Sequence, residues 1–210
     1  MNPELYLTII LISCFVVFIT SFILNSGRIK AEFSMAVKQD ITSEQMKKAE
    51  EKVSRFLLKN NLKPGEDISV IGQALKIRVN DIEEQISGQA HLGSTDINGI
   101  MTVTFRRGLS QQEKTFAFAH ECGHIINEDA VPIDRPDGKH KAYVEQAADY
   151  VAAALLMPLD DVYHYLSINN YQNASPQKRT RLLKGLCRTY NVDDIIALRR
   201  IREVYTLKNS

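Results

Sequence analysis

Five consecutive residues, His120-Glu121-Cys122-Gly123-His124, constrain this chain more than any other stretch. On an α-helix two histidines four apart lie on one face, one turn apart, where both imidazoles can reach one metal ion with Glu121 alongside. In a strand they would stand about 13 Å apart, and in a loop nothing makes them converge. The chain must therefore supply a helix here, and on a helix the pattern is that of a zinc-dependent peptidase.

Neighbouring residues supply that helix independently. Ser110-Gln111-Gln112-Glu113 is an S-x-x-E capping box, followed by Phe116, Phe118 and Ala119, so a helix is expected to carry the motif through to about Asn127. A catalytic zinc site takes three protein ligands and leaves one position open. The extended H-E-x-x-H-x-x-G-x-x-H pattern is excluded, because Asn127 and Ala130 occupy its Gly and His positions. The remaining route is a carboxylate from a second helix. Residues 143–157 are Ala-rich and helix-prone and stop before Pro158. Glu145 and Asp149, four apart, are the only acids in a segment that otherwise reads as buried, where acids should be paired or bound to a cation. Glu145 is the expected third ligand. Asp149 is expected to accept the free ring N–H of a ligand histidine and so fix its tautomer. Glu121 is the expected general base. Tyr143, Tyr150, Tyr163, His140 and His164 all qualify as donors to a tetrahedral intermediate, and the sequence does not choose among them.

At the other end of the chain, residues 5–24 carry no charge and are rich in Ile, Leu, Val and Phe. As a helix they would span roughly 30 Å of hydrocarbon, which is the length of a transmembrane anchor. Arg28, Lys30 and Lys38 follow it, while the short leader holds only Glu4 and the α-amino group. By the positive-inside rule the expected placement is single-pass in the cell membrane with the C-terminal domain cytoplasmic. Charge is uneven along the 210 residues: residues 31–175 hold 15 basic against 21 acidic side chains, and residues 176–210 hold 9 against 3. Three cysteines without C-x-x-C spacing exclude a disulfide framework and a thiolate zinc site.

Thr42 with Gln45 forms a second capping box, and Met46, Ala49, Val53, Phe56 and Leu57 keep helical spacing up to Asn60. After the Pro64-Gly65 turn, Ile68, Ile71 and Leu75 suggest a short helix. Residues 76–80 and 100–105 read as short strands, with glycines and His91 in a turn between them. In the basic tail, Ser175-Pro176 starts one helix and Asp193 caps another. Two short helices with Arg199, Arg200 and Arg202 in the second could imitate a helix-turn-helix. The spacing itself says only that two helices pack, with the arginines presented outward.

Taken together, the motifs resemble the ImmA/IrrE family of metallopeptidases. The resemblance rests on Phe116-Ala117-Phe118-Ala119-His120-Glu121-Cys122-Gly123-His124 followed by Glu145-Gln146-Ala147-Ala148-Asp149-Tyr150-Val151-Ala152-Ala153-Ala154-Leu155-Leu156-Met157-Pro158, and it extends over roughly residues 62–201. It implies a zinc endopeptidase that cleaves a helix-turn-helix transcriptional repressor. His120, His124 and Glu145 would then be the Zn2+ ligands and Glu121 the base. Cys122 departs from the aliphatic residue usual at its position, and the anchor is not part of the shared core. The expected fold is α+β: helix-rich and zincin-like, with a small mainly antiparallel sheet, preceded by one transmembrane helix. Four parts are expected: the anchor at 1–30, a linker at 31–42, the metallopeptidase core at 43–175 and a basic helical subdomain at 176–210. Expected partners are the repressor and, through residues 5–24, the membrane; direct nucleic-acid binding is not expected. The competing class is a membrane-tethered regulatory binding protein, either a pseudo-peptidase or a DNA-binding module.

Overall fold

The helix that opens the described structure is α1, Ser43–Lys59. Met46, Ala49, Val53 and Leu57, three or four residues apart, are its buried face. Its start is fixed by the capping box: Gln45 N–H donates to Thr42 Oγ1, and Thr42 N–H donates to Gln45 Oε1 at 2.7 Å. The computed structural model of the protein describes residues 41–80, 91–95, 100–127 and 139–209, which belong to one unit over residues 40–210.

α2 (Ile68–Ala74) follows, capped by Asp67, whose side chain accepts the Ser69 N–H. Three strands come next, β1 (Arg78–Val79), β2 (His91–Thr95) and β3 (Met101–Phe105), in the order β1-β3-β2. β2 pairs antiparallel with β3 over five residue pairs and β1 pairs parallel with it over two, so the sheet is mainly antiparallel. β2 falls where the sequence suggested a glycine-rich turn. β3, central among the described strands, buries Val103, Thr104 and Phe105.

Five further α-helices complete the described fold: α3 (Gln111–Asn127), α4 (Lys139–Leu156), α5 (Leu159–Ile168), α6 (Pro176–Tyr190) and α7 (Asp194–Lys208). The Ser110–Glu113 box at the head of α3 is formed, with Ser110 N–H donating to Glu113 Oε2 at 2.8 Å and Glu113 N–H donating to Ser110 Oγ at 3.2 Å. Lys52 of α1 meets the other end of α3, where its ammonium donates to Asn127 Oδ1 at 3.0 Å and to the backbone carbonyl, a favourable place for a cation. Asn191 ends α6 at φ +51°, a left-handed conformation that asparagine tolerates, and sends the chain into α7.

α4 joins two apolar clusters. Tyr150, Val151, Ala154 and Leu155 pack with Met46, Val53, Ile71, Val103, Phe118 and Cys122. Ala153 and the adjoining Met157 pack with Val162, Leu166, Leu186, Ala197 and Val204 from α5, α6 and α7. A helix-rich α+β arrangement with a small sheet is therefore observed, and it fits a zincin-like domain.

The membrane placement is corrected. Among the described residues no helix is long and apolar enough to cross a membrane. The longest, α4, has 18 residues but carries Lys139, Lys141, Glu145 and Asp149. Residues 5–24, which carry the single-pass, cytoplasm-facing reading, lie outside the described residues, as do residues 31–40 of the linker expected at 31–42.

Candidate metal centre

α3 places His120 and His124 one turn apart with their rings edge to face, centroids 4.6 Å apart and planes at 84°. Their Nε2 atoms approach to 3.0 Å. From α4, Glu145 Oε2 comes to 3.2 Å from His120 Nε2 and 3.8 Å from His124 Nε2. The three residues form a group able to hold a metal ion.

A small-residue crossing makes this approach possible. A Cβ on Gly123 would lie 2.5 Å from the Ala148 carbonyl oxygen, so α3 and α4 touch backbone to backbone beside the turns that carry His120, His124 and Glu145. Gly123 is needed because no side chain fits there.

The tautomer of His120 follows from its outer partner. Nδ1 lies 2.8 Å from Asp149 Oδ1 and donates to it, which leaves the Nε2 lone pair facing Glu145 and His124. Two imidazole nitrogens and a carboxylate oxygen facing one another need a proton or a cation between them. Zinc–ligand distances of about 2.0–2.2 Å put tetrahedral donor atoms roughly 3.3–3.6 Å apart. Separations of 3.0, 3.2 and 3.8 Å bracket that range, so the donor set fits a tetrahedral divalent ion. His120 and Glu121 are buried, whereas the Glu145 side chain is half exposed, so the centre opens to solvent on the Glu145 side.

Electrostatics support the same arrangement. Burial pulls the His120 pKa down, but the Asp149 hydrogen bond and the charges of Asp149, Glu145 and Glu121 outweigh it and raise it above the usual histidine value. Burial pushes the Asp149 carboxyl up, yet His120 and the Arg199 guanidinium hold it below the usual carboxylate range. Burial, aided by the charge of Glu121, pushes the Cys122 thiol up to about 12, which leaves it a packing residue rather than a nucleophile.

Of the residues singled out in the sequence, His120, His124 and Glu145 converge, Asp149 backs His120, and Glu121 is buried beside them on α3. Tyr150 is removed from the donor candidates: it is fully buried and its hydroxyl donates to Glu50 Oε1 at 2.7 Å. Tyr163 lies against Tyr205 and Lys208, and His164 is exposed on α5. His91 is on β2 opposite Phe105, and the His140 side chain is not among those described. Arg199 is the residue the sequence reading missed. Two arginines expected to face outward instead point inward, Arg200 being fully buried and the Arg199 side chain largely so. For Arg200 the helical period carries a signal: Ile196, Arg200, Glu203 and Leu207 share one face with apolar ends, and Arg200 and Glu203 stand at i,i+3.

The profile of the peptidase M78 family, described as the IrrE N-terminal-like domain, matches residues 74–193, over half of the chain, and includes every residue of the His–His–Glu group. The chain belongs to this family. Its fold is accordingly that of an M78 metallopeptidase-like domain. Among solved structures, a Mycobacterium tuberculosis transcriptional regulator superposes with a TM-score of 0.52 at 12% sequence identity, over 77% of this chain and 47% of that one. At that identity the likeness is one of fold, and this M78 chain spans about half the length of the regulator. None of the curated proteins compared with it matches.

Proposed function

We propose that the chain is a zinc-dependent endopeptidase in which His120, His124 and Glu145 bind the metal and Glu121 is the general base. The observation that carries this reading is the convergence of two imidazole nitrogens and one carboxylate oxygen within 4.8 Å of one another, beside a buried glutamate. Membership of the M78 family supports the peptidase class. Zinc bound there supplies Lewis-acid polarisation of a carbonyl and acidification of a water. The chain's own residues do the rest. Glu121, one position from a ligand and held in a buried place, takes the proton of the attacking water and returns it to the leaving amine. Asp149 keeps His120 in the tautomer whose Nε2 lone pair faces Glu145 and His124.

The substrate in this reading is a helix-turn-helix transcriptional repressor, as the resemblance to the ImmA/IrrE family implies. The boundaries proposed for the peptidase core are residues 43–175, with the helices over 176–210 as a subdomain packed on it.

Two measurements test the function. Metal analysis of the full chain should find one zinc per molecule, and its absence sinks the metallopeptidase reading. Glu121→Gln should keep the zinc while cleavage of a helix-turn-helix repressor encoded beside this gene falls by at least about a hundredfold, as expected for loss of a general base. A wild-type cleavage rate in that variant refutes the assigned base. A repressor left intact by the zinc-loaded wild-type chain refutes the substrate class.

A further inference from the structure

α7 begins at Asp194, just past the last residue matched by the family profile, yet one of its side chains reaches the metal centre. Arg199 Nη1 donates to Asp149 Oδ2 at 2.9 Å, Nη2 donates to the Gln146 carbonyl oxygen at 3.3 Å, and Nε donates to Glu203 Oε1 at 2.9 Å. Two of these contacts grip α4 and the third ties the guanidinium back to its own helix. A planar fork fixed at three corners has one orientation.

Asp149 divides its two oxygens between two partners. Oδ1 accepts from His120 Nδ1 at 2.8 Å, and Oδ2 accepts from Arg199. With Oδ2 anchored, the carboxylate cannot swing about its terminal bond, so the imidazole hydrogen-bonded to Oδ1 is held in one plane. We infer that Arg199 is a positioning residue of the metal centre, acting through Asp149 to hold His120 with Nε2 facing His124 and Glu145. The inference rests on the proposed ligand set. It assigns to α7 a role in preorganising that set, although α7 supplies no ligand.

The experiment measures zinc affinity of the full chain by competition with a chromophoric chelator, comparing wild type, Arg199→Gln, Arg199→Lys, Asp149→Asn and the double variant Asp149→Asn with Arg199→Gln. Removing an outer partner of a ligand histidine weakens metal binding by about 10–100-fold. Arg199→Gln is expected to lose about tenfold, near the lower end of that range because it acts one bond further out. Arg199→Lys, which keeps the charge but not the fork, should fall between it and wild type. In the Asp149→Asn background the same Arg199→Gln change should cost less than about twofold, because the route through Asp149 is already cut. A fall in melting temperature is expected of Arg199→Gln in any case, since it strips the buried Glu203 of a partner, so stability is not the readout. Undiminished affinity in Arg199→Gln overturns the inference, and so does an equal loss in the two backgrounds. Should Arg199→Gln fail to fold, Arg199→Lys decides: a loss of a few fold upholds the inference and wild-type affinity overturns it. A wild-type chain that binds no zinc overturns the ligand set itself and the inference with it. A zinc-binding wild type with indifferent Arg199 variants overturns the inference alone.

Discussion

His120 uses one ring nitrogen for Asp149 and turns the other toward Glu145 and His124, so in the proposed reading protons and metal would compete for the second. Its pKa in the metal-free protein is raised, because the Asp149 hydrogen bond and three nearby carboxylates outweigh burial. The sign follows directly. The imidazolium form persists to higher pH than the ordinary value of about 6.5, so apparent zinc affinity should begin to fall, as pH is lowered, from above that value. Asp149→Asn removes the largest raising contribution, so the onset should move to lower pH even though binding at neutral pH weakens. Zinc affinity measured from pH 8 to 5 checks this, and an onset that moves upward in the variant would contradict it. For the metal-free fold, the His120 contribution is fully present below the unfolded histidine pKa and is lost as pH rises through the raised value. The contribution of Asp149, whose pKa is lowered, is present above the unfolded carboxylate pKa and is lost as pH falls through the lowered one. At this scale the approach of His120 to His124 is legible in the sequence, because i,i+4 spacing on a helix converts directly into a shared face. Arg199 is not, because its partners lie 50 and 53 residues away on α4 and only the crossing of α4 with α7 brings them together.

The crossing of α3 with α4 decides whether His120 and His124 meet Glu145 at all. Helix propensity alone favours alanine over glycine in a helix interior by about 0.5–1 kcal/mol, so Gly123→Ala would stabilise an isolated α3. In the folded protein the new methyl would sit 2.5 Å from the Ala148 carbonyl oxygen, and the atom it meets is backbone, which cannot rotate aside. Overpacking of this kind costs about 1–3 kcal/mol, so the clash outweighs the propensity. Gly123→Ala is expected to lower the melting temperature and, by forcing the helices apart and drawing Glu145 from the histidines, to weaken zinc binding. A variant that melts at or above the wild-type temperature would show that α3 and α4 do not approach so closely. The elements themselves are unequally legible in the sequence. Both capping boxes form as their sequences predict, and each marks its helix start. β2 was missed because His-Leu-Gly-Ser-Thr has a glycine at its centre and no apolar alternation. α5 was missed because Pro158 reads as the end of α4, although it also stands as the N-cap of a helix with Asp160 and Asp161 in its first turn. The parallel pairing of β1 with β3 depends on long-range packing that two residues of strand do not encode.

On the scale of the whole molecule, α1 and α7 both lie outside the residues matched by the family profile, and they meet each other through Glu50 and Arg200. Arg200 of α7 reaches Glu50 of α1 at 2.8 Å, lies over the Tyr150 ring of α4 at 5.5 Å and donates from Nε to the Met157 carbonyl oxygen at 2.8 Å. Arg200 and Glu203 are fully buried, and Tyr150 donates its hydroxyl to the same Glu50 oxygen. A buried cation shared by three helices contributes less through its own attraction than through what its removal leaves behind. Breaking such a pair typically costs about 3–5 kcal/mol, because the remaining carboxylates stay desolvated without a partner. Arg200→Met, which retains much of the volume, is therefore expected to lower unfolding stability by about that amount. The pattern of the loss carries more information than its size. If α1 and α7 formed a layer separable from the metal-binding helices, the variant would lose helical signal in an early transition while zinc stayed bound. Because the same α4 carries Glu145, Asp149 and Tyr150, the expected result is one shifted transition in which helical signal and zinc release coincide along a urea series. Zinc retained beyond the loss of helical signal would show that α1 and α7 are energetically separate from the centre, and coincidence of the two would show that the helices flanking the matched residues are part of what holds the ligands together.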